Sequence, residues 1–193
     1  MARPREFDED SAVDTALDTF WELGYRGTTV DDLDKAIGIG RSSFYAAFGD
    51  KRTLFLRALD RYCGSSGQEL LAALEVAEGL QAALGAALNS ILAADLEGRP
   101  GLGCFMVNSV AELARTDPDV RRRAQVTFDA IETRLELAIR AAQARREIRT
   151  SLDAKSAASS LMVFMQGLRL VAQASVPAST LRSAVVGALS VLD

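Results

Sequence analysis

The chain has 193 residues, 49% hydrophobic and 25% charged, an ordinary globular composition that excludes wholesale disorder and fits one or two domains. It carries 22 basic against 26 acidic residues, net −4, so it is not a basic nucleic-acid coat, although a local basic face stays open. Histidine is absent, which removes Ser-His-Asp, Cys-His and His-ligated metal mechanisms, and two cysteines, Cys63 and Cys104, cannot build a zinc finger.

Apolar residues recur with helical spacing, Gly and Pro separate the runs, and no stretch alternates as a strand does. The first run is Val13, Ala16, Leu17 and Phe20, preceded by the acids Asp8, Glu9 and Asp10 and ending at Gly24. The second is Val30, Leu33 and Ile37, with Thr29 as cap, Asp32 completing a weak capping box and Gly38 closing it. The third spans Arg41 to Phe48, with Phe44 and Phe48 on one face. Asp50 caps a fourth helix, in which Gly64-Ser65-Ser66-Gly67 is either a break or a kink on the way to about Ala77. Further helices are predicted over about 80–96 and 103–115, from Pro118 to about Glu147, from Asp153 to about Ala174, and after Pro177. The expectation is an all-α chain of about nine helices.

The segment from Thr28 to Lys51 reads as a helix-turn-helix. The second helix of such a unit enters the major groove with its N-terminal residues toward the bases. Here these are Arg41, Ser42 and Ser43, followed by Tyr45 and Ala46, while Phe44 and Phe48 turn to the core. Small hydroxylated residues allow close approach, and Arg41 can read guanine or clamp a phosphate. Between Gly38 and Arg57 the bases Arg41, Lys51, Arg52 and Arg57 stand against Asp50 alone, with Arg3 and Arg5 in an N-terminal arm. A polarised domain with one basic face is expected.

The run Gly24-Tyr25-Arg26-Gly27-Thr28-Thr29-Val30, then Ile37-Gly38-Ile39, Ser43-Phe44-Tyr45 and Phe48-Gly49-Asp50-Lys51-Arg52-Thr53-Leu54-Phe55, resembles the N-terminal domain of the TetR family of transcriptional regulators over about residues 8–62. The resemblance implies a homodimer on a near-palindromic double-stranded DNA operator. It also implies a helical C-terminal domain with an effector pocket and the dimer interface, which sets a helix-turn-helix domain at 1–50 and a sensing domain at 51–193. By it, Thr28 or Thr29, Tyr45 and Lys51 meet phosphates, and Arg41, Ser42 and Ser43 lie along the bases. Two departures stand out: Gly40 replaces a frequent Ser cap, and Ala46 and Ala47 replace larger residues.

Three further expectations concern the rest of the chain. Cys104, Phe105, Asn108, Phe128, Met162, Met165 and Gln166 are candidates to border a small-molecule effector pocket, the ring and Met residues being core first. Leu161, Phe164, Leu168, Leu181, Val185 and Leu189 on the last two helices are candidates for a dimer interface, with the fourth helix as the lever between sensing and DNA. Cys104, at the start of a helix, is either a small buried hydrophobe or the sensor thiol of a redox- or electrophile-switched regulator, whereas Cys63 reads as inert. No cofactor or metal is implied. A helical enzyme is the reading from another class, but the chain offers no phosphate loop or nucleophile–base pair. Met1 to Glu6 lacks an apolar signal core and no stretch reaches the roughly 20 apolar residues of a bilayer span, so a cytoplasmic, membrane-free protein is expected.

Overall fold

A computed structural model of the chain describes residues 7–76 and 79–192, with side chains for all of these except 65–76. Arg3 and Arg5 of the expected arm lie outside the described residues. Among those described there are nine α-helices and no strand: α1 (Glu9–Gly27), α2 (Val30–Ile37), α3 (Arg41–Phe48), α4 (Lys51–Val76), α5 (Leu80–Ala93), α6 (Phe105–Leu113), α7 (Pro118–Ala144), α8 (Ala154–Ala172) and α9 (Ala178–Leu189). The helical periodicity is therefore realised along the chain.

Local chemistry sets the boundaries. The Asp8 carboxylate accepts from the backbone N–H groups of Asp10 and Ser11 and opens α1. Thr29 and Asp32 form the complete reciprocal capping box at the start of α2. Gly38 closes α2 in the left-handed region at φ 77°, where a side chain would be strained. Gly40 starts α3 with no side-chain cap, as its lack of a side chain dictates. Asp50 accepts from Thr53 N at 2.6 Å at the head of α4, and Asp117 caps α7 with Pro118 at its first position. Two boundaries differ from the sequence pattern. The Gly64–Gly67 tetrad neither breaks nor ends α4, which runs through it. Gly24 does not terminate α1 but kinks it at φ 72°, and one more turn follows to Gly27.

Two hydrophobic clusters hold the helices. One contains Phe20, Leu33, Phe44, Phe48, Leu54 and Phe55 from α1–α4 and extends to Phe105, Met106 and Leu113 of α6 and Val120 and Ala124 of α7. The other joins α5, the later part of α7, α8 and α9 through residues such as Leu84, Leu92, Leu135, Ile139 and Leu161. The aromatic rings Phe20, Phe44 and Phe55 are essentially inaccessible, and each such burial stabilises the fold by about 1.5–3 kcal/mol. That amount fixes the two-sided α3 in one rotation. The clusters meet at a buried ion pair. A π-helical segment, Ala94–Gly98, turns Asp95 inward, where its two oxygens receive Arg169 of α8 at 2.8 and 2.9 Å.

Candidate nucleic-acid interface

The buried Phe44 and Phe48, one turn apart on α3, leave Arg41, Ser42, Ser43, Tyr45 and Ala46 exposed on the opposite face. Tyr45 is 48% accessible although aromatic, its ring edge-on to Phe44 at 5.5 Å, so the phenol projects from a ring that is held in place. Thr29 is exposed at the cap of α2, its hydroxyl engaged with Asp32. Of the predicted contact residues, Thr29, Arg41, Ser42, Ser43 and Tyr45 are thus all exposed at the surface of α2 and α3.

Thr28 and Lys51 take other places. Thr28 is buried, and its hydroxyl donates to Gly24 O at 2.6 Å, so of the Thr28/Thr29 pair only Thr29 reaches the surface, with its own hydroxyl donating to Asp32 at 2.6 Å. Lys51 is half-buried; its ammonium donates to Tyr25 O at 2.9 Å and Thr28 O at 2.8 Å and sits 4.2 Å from the centre of the Tyr25 ring. These carbonyls end the last turn of α1, where a cation complements the helix dipole. Lys51 is thus a tie between α1 and α4, with one of its three donors left over.

The expected basic face is corrected in the same way. Arg52 forks onto Asp117 at 2.8 Å through both Nε and Nη2 and reaches Asp119 at 2.7 Å. Arg57 pairs with Glu9 at 3.2 Å and lies over the Phe48 ring. Arg41, the one arginine of α3, pairs with the exposed Asp31 at 2.8 Å. Sequence proximity counts the bases of α3 and α4 together; packing brings acids from α1, α2 and α7 against them.

The start of α4 is therefore clamped by residues distant in sequence. Asp117 and Asp119, at the head of α7, hold Arg52, and their hydrogen bonds with it keep both carboxyls below the ordinary carboxylate range. Glu112 of α6 accepts from the backbone N–H of Tyr25 at 2.9 Å and of Arg26 at 2.7 Å, capping the turn beyond the Gly24 kink. A Cβ on Gly24 would stand 3.2 Å from the Glu112 carboxylate. Sequence reasoning missed these links because they join residues 65–87 positions apart and no local pattern marks them.

A helix-turn-helix with this exposed face, on this nine-helix frame, matches known proteins in sequence and in structure. Residues 12–58 match the family model described as bacterial regulatory proteins, tetR family, and residues 76–186 match the tetracyclin repressor-like, C-terminal domain. The chain belongs to the TetR family of transcriptional regulators. The HTH-type transcriptional repressor ComR of Escherichia coli (strain K12) is 31% identical over 172 residues, 89% of this chain and 82% of that protein. The uncharacterized HTH-type regulator YezE of Bacillus subtilis (strain 168) is 27% identical over the full length of both. A cysteine mutant of the TetR family regulator CifR, solved in complex with 26-base-pair double-strand operator DNA, superposes with a TM-score of 0.88 over the whole of both chains at 27% identity. As a TetR family member, the chain is a DNA-binding transcriptional regulator.

The C-terminal candidates are distributed differently from the sequence expectation. Phe105 and Asn108 border a cavity of about 260 Å³ between α1 and α6. Phe128 packs with the N-terminal cluster, whereas Met162 and Met165 belong to the other one, on the same helix as the half-buried Gln166. Of the seven, Phe105 and Asn108 border that cavity, and Arg169, paired with Asp95, reaches Tyr62 of the N-terminal cluster. Asn108 is also committed: its amide donates to Leu102 O at 2.7 Å and receives Gln173 at 3.0 Å. Cys104 occupies the N-cap position of α6 without a side-chain cap bond and is only 4% accessible, with the Tyr62 hydroxyl donating to its sulfur at 3.4 Å and Arg169 donating to that hydroxyl at 3.0 Å. Burial pushes the Cys63 thiol up, away from the reactive thiolate.

The dimer residues need the largest correction. Leu161, Leu168, Leu181, Val185 and Leu189 are buried in the chain's own core, and Phe164 is half-buried against it. The apolar side chains that α8 and α9 leave outside are Val163, 64% accessible, Leu170, Val171 and Val186, 71% accessible. The helices have apolar residues on two faces; the core takes the more regular one. Among the described residues no helix is long and apolar enough to cross a membrane.

Proposed function

We propose that this protein is a repressor that binds a near-palindromic operator as a homodimer and is released from it by a small-molecule effector. The reading assigns residues 1–50 to DNA binding and 51–193 to sensing and dimerisation. The observation that carries it is the exposed row Arg41, Ser42, Ser43 and Tyr45 on a helix locked by Phe44 and Phe48. Thr29 and Tyr45 meet phosphates, and Arg41 with Ser42 and Ser43 lies along the bases; the Thr29 hydroxyl leaves Asp32 and Arg41 leaves Asp31 to do so. The operator complex of CifR, the repressor ComR and the IcaR negative regulators of the biofilm operon icaADBC, similar over about a quarter of the chain, support this direction. The outer faces of α8 and α9, with Val163, Leu170, Val171 and Val186, form the isologous four-helix interface.

The effector acts by favouring a state whose two recognition helices no longer match major grooves spaced about 34 Å apart. The Glu112 and Asp117 contacts carry the change to α1 and α4. Burial of Cys104 under Tyr62 favours a ligand over a thiol as the trigger. The test is to sequence the DNA retained by the protein from its own genome, then to titrate that DNA with wild type and Tyr45→Ala. The variant loses about 1 kcal/mol or more uniformly across sequences. An unchanged affinity refutes the placement of α3. Release by maleimide that vanishes in Cys104→Ser but not in Cys63→Ser would replace the ligand by the thiol.

A further inference from the structure

The cavity between the end of α1 and α6 has a specific chemistry. Phe20, Trp21, Tyr25, Phe55 and Phe105 supply aromatic walls. Three donors among them are spent on carbonyls of the chain: Trp21 Nε1 on Leu102 O at 3.3 Å, one Asn108 amide hydrogen on the same oxygen, and Ser109 Oγ on Phe105 O at 2.7 Å. The charged residues on the wall are Glu22 and Glu112, and neither Lys nor Arg borders it. Glu112 accepts one N–H on each oxygen, from Tyr25 and Arg26, and a carboxylate offers about four lone-pair sites, so acceptor capacity remains. Two of the surrounding rings already hold cations of the chain itself: Lys51 over Tyr25 at 4.2 Å and Arg99 over Trp21 at 4.8 Å.

We propose that this cavity binds a small organic cation, an amine or quaternary ammonium joined to an apolar group, with its charge at Glu112 and its apolar part among the rings. Ring faces and carboxylates both attract positive charge, whereas Glu22 and Glu112 repel an anion, and the Trp21 and Ser109 donors are already spent on carbonyls of the chain. A volume of about 260 Å³ lies just below the roughly 300–1,000 Å³ of drug-sized sites, which suits one ring plus an ammonium group. The site names the ligand class of the effector reading and rests on that reading for its consequence. An ammonium at Glu112 competes with the Tyr25 and Arg26 N–H groups, loosening the turn whose carbonyls hold Lys51 and whose end leads into α2.

Trp21 is the chain's single tryptophan, so its emission reports on this cavity without DNA. The probes are benzyltrimethylammonium chloride and its uncharged near-isostere dimethylbenzylcarbinol, titrated into the full chain with calorimetry in parallel. Saturable binding of the cation is expected, with affinity about tenfold or more above that of the alcohol. Glu112→Gln brings the two affinities together, and Leu102→Phe, which narrows the cavity while leaving Glu112 in place, weakens both. Absence of saturation, equal affinities in wild type, or full cation affinity in either folded variant overturns the proposal. If Glu112→Gln does not fold, Leu102→Phe alone decides. Failure of the ligand-free protein to retain DNA refutes the regulator reading and leaves this titration untouched; cation binding without operator release refutes only the regulatory consequence.

Discussion

Replacing Lys51 by methionine separates a structural tie from a DNA contact. The ammonium makes two hydrogen bonds, at 2.9 and 2.8 Å, to the carbonyls that end α1, and lies 4.2 Å from the Tyr25 ring centre. Hydrogen bonds from a charged donor contribute about 1.5–3 kcal/mol each, and ordering a lysine side chain costs up to about 2 kcal/mol. Lys51 is half-buried, so water competes for the ammonium and the lower ends of these ranges apply. Methionine keeps the apolar stem but offers no donor. The expected loss is roughly 2 kcal/mol, or about 4–8 °C in melting temperature for a chain of this size. Thermal unfolding followed by circular dichroism checks it, at fixed protein concentration because any self-association shifts the apparent stability. Operator affinity is measured beside it across a salt series. A Lys51 whose charge serves only a phosphate gives unchanged melting without DNA and a salt slope lower by about one unit. Unchanged melting of Lys51→Met therefore refutes the tie.

Asp31→Asn frees Arg41 from its exposed partner at 2.8 Å; such a pair is worth about 0–1 kcal/mol, so operator binding tightens up to about fivefold at low salt, and weaker binding would contradict the release of Arg41 on DNA. Hydrogen bonding to Arg52 holds the Asp117 carboxyl below its ordinary value of 3.8, so the stability from this pair is fully present above about that pH and is lost as pH falls through the lowered value. With Arg52 partly exposed, Asp117→Asn costs about 1 kcal/mol at neutral pH and flattens the acid limb of a urea-denaturation series; an unaltered acid limb shows that the clamp is open in solution. Val186→Glu gives a folded monomer by sedimentation, whereas Leu189→Glu, which puts a charge into the core, prevents stable folding. A Val186→Glu variant that stays dimeric places the interface elsewhere.

Much of the fold was legible because its signals are local. Helical periodicity, the Thr29–Asp32 capping box, the Gly38 turn and Asp117-Pro118 each act within one turn of helix, so residue order alone determined the nine helices seen among the described residues and the helix-turn-helix. The outward face of α3 followed from Phe44 and Phe48 one turn apart, since a helix that buries one face must expose the other. Gly24 read as the end of α1 and kinks it instead, and the Gly64–Gly67 tetrad, open between a break and a kink, lies within a continuous α4, because glycine propensity is a weak signal. Tertiary structure decided what each charge and each apolar face meets. Lys51 and Arg52 belong to the same run as Arg41, yet carbonyls of α1 and carboxylates of α7 claim them, contacts spanning 23–67 positions. The residues of α8 and α9 expected at an interface became core because an apolar pattern states that a face is buried but not by which partner. Glu112 carried no signal of its own: its role exists only where the Gly24 kink brings two backbone N–H groups to a carboxylate on another helix.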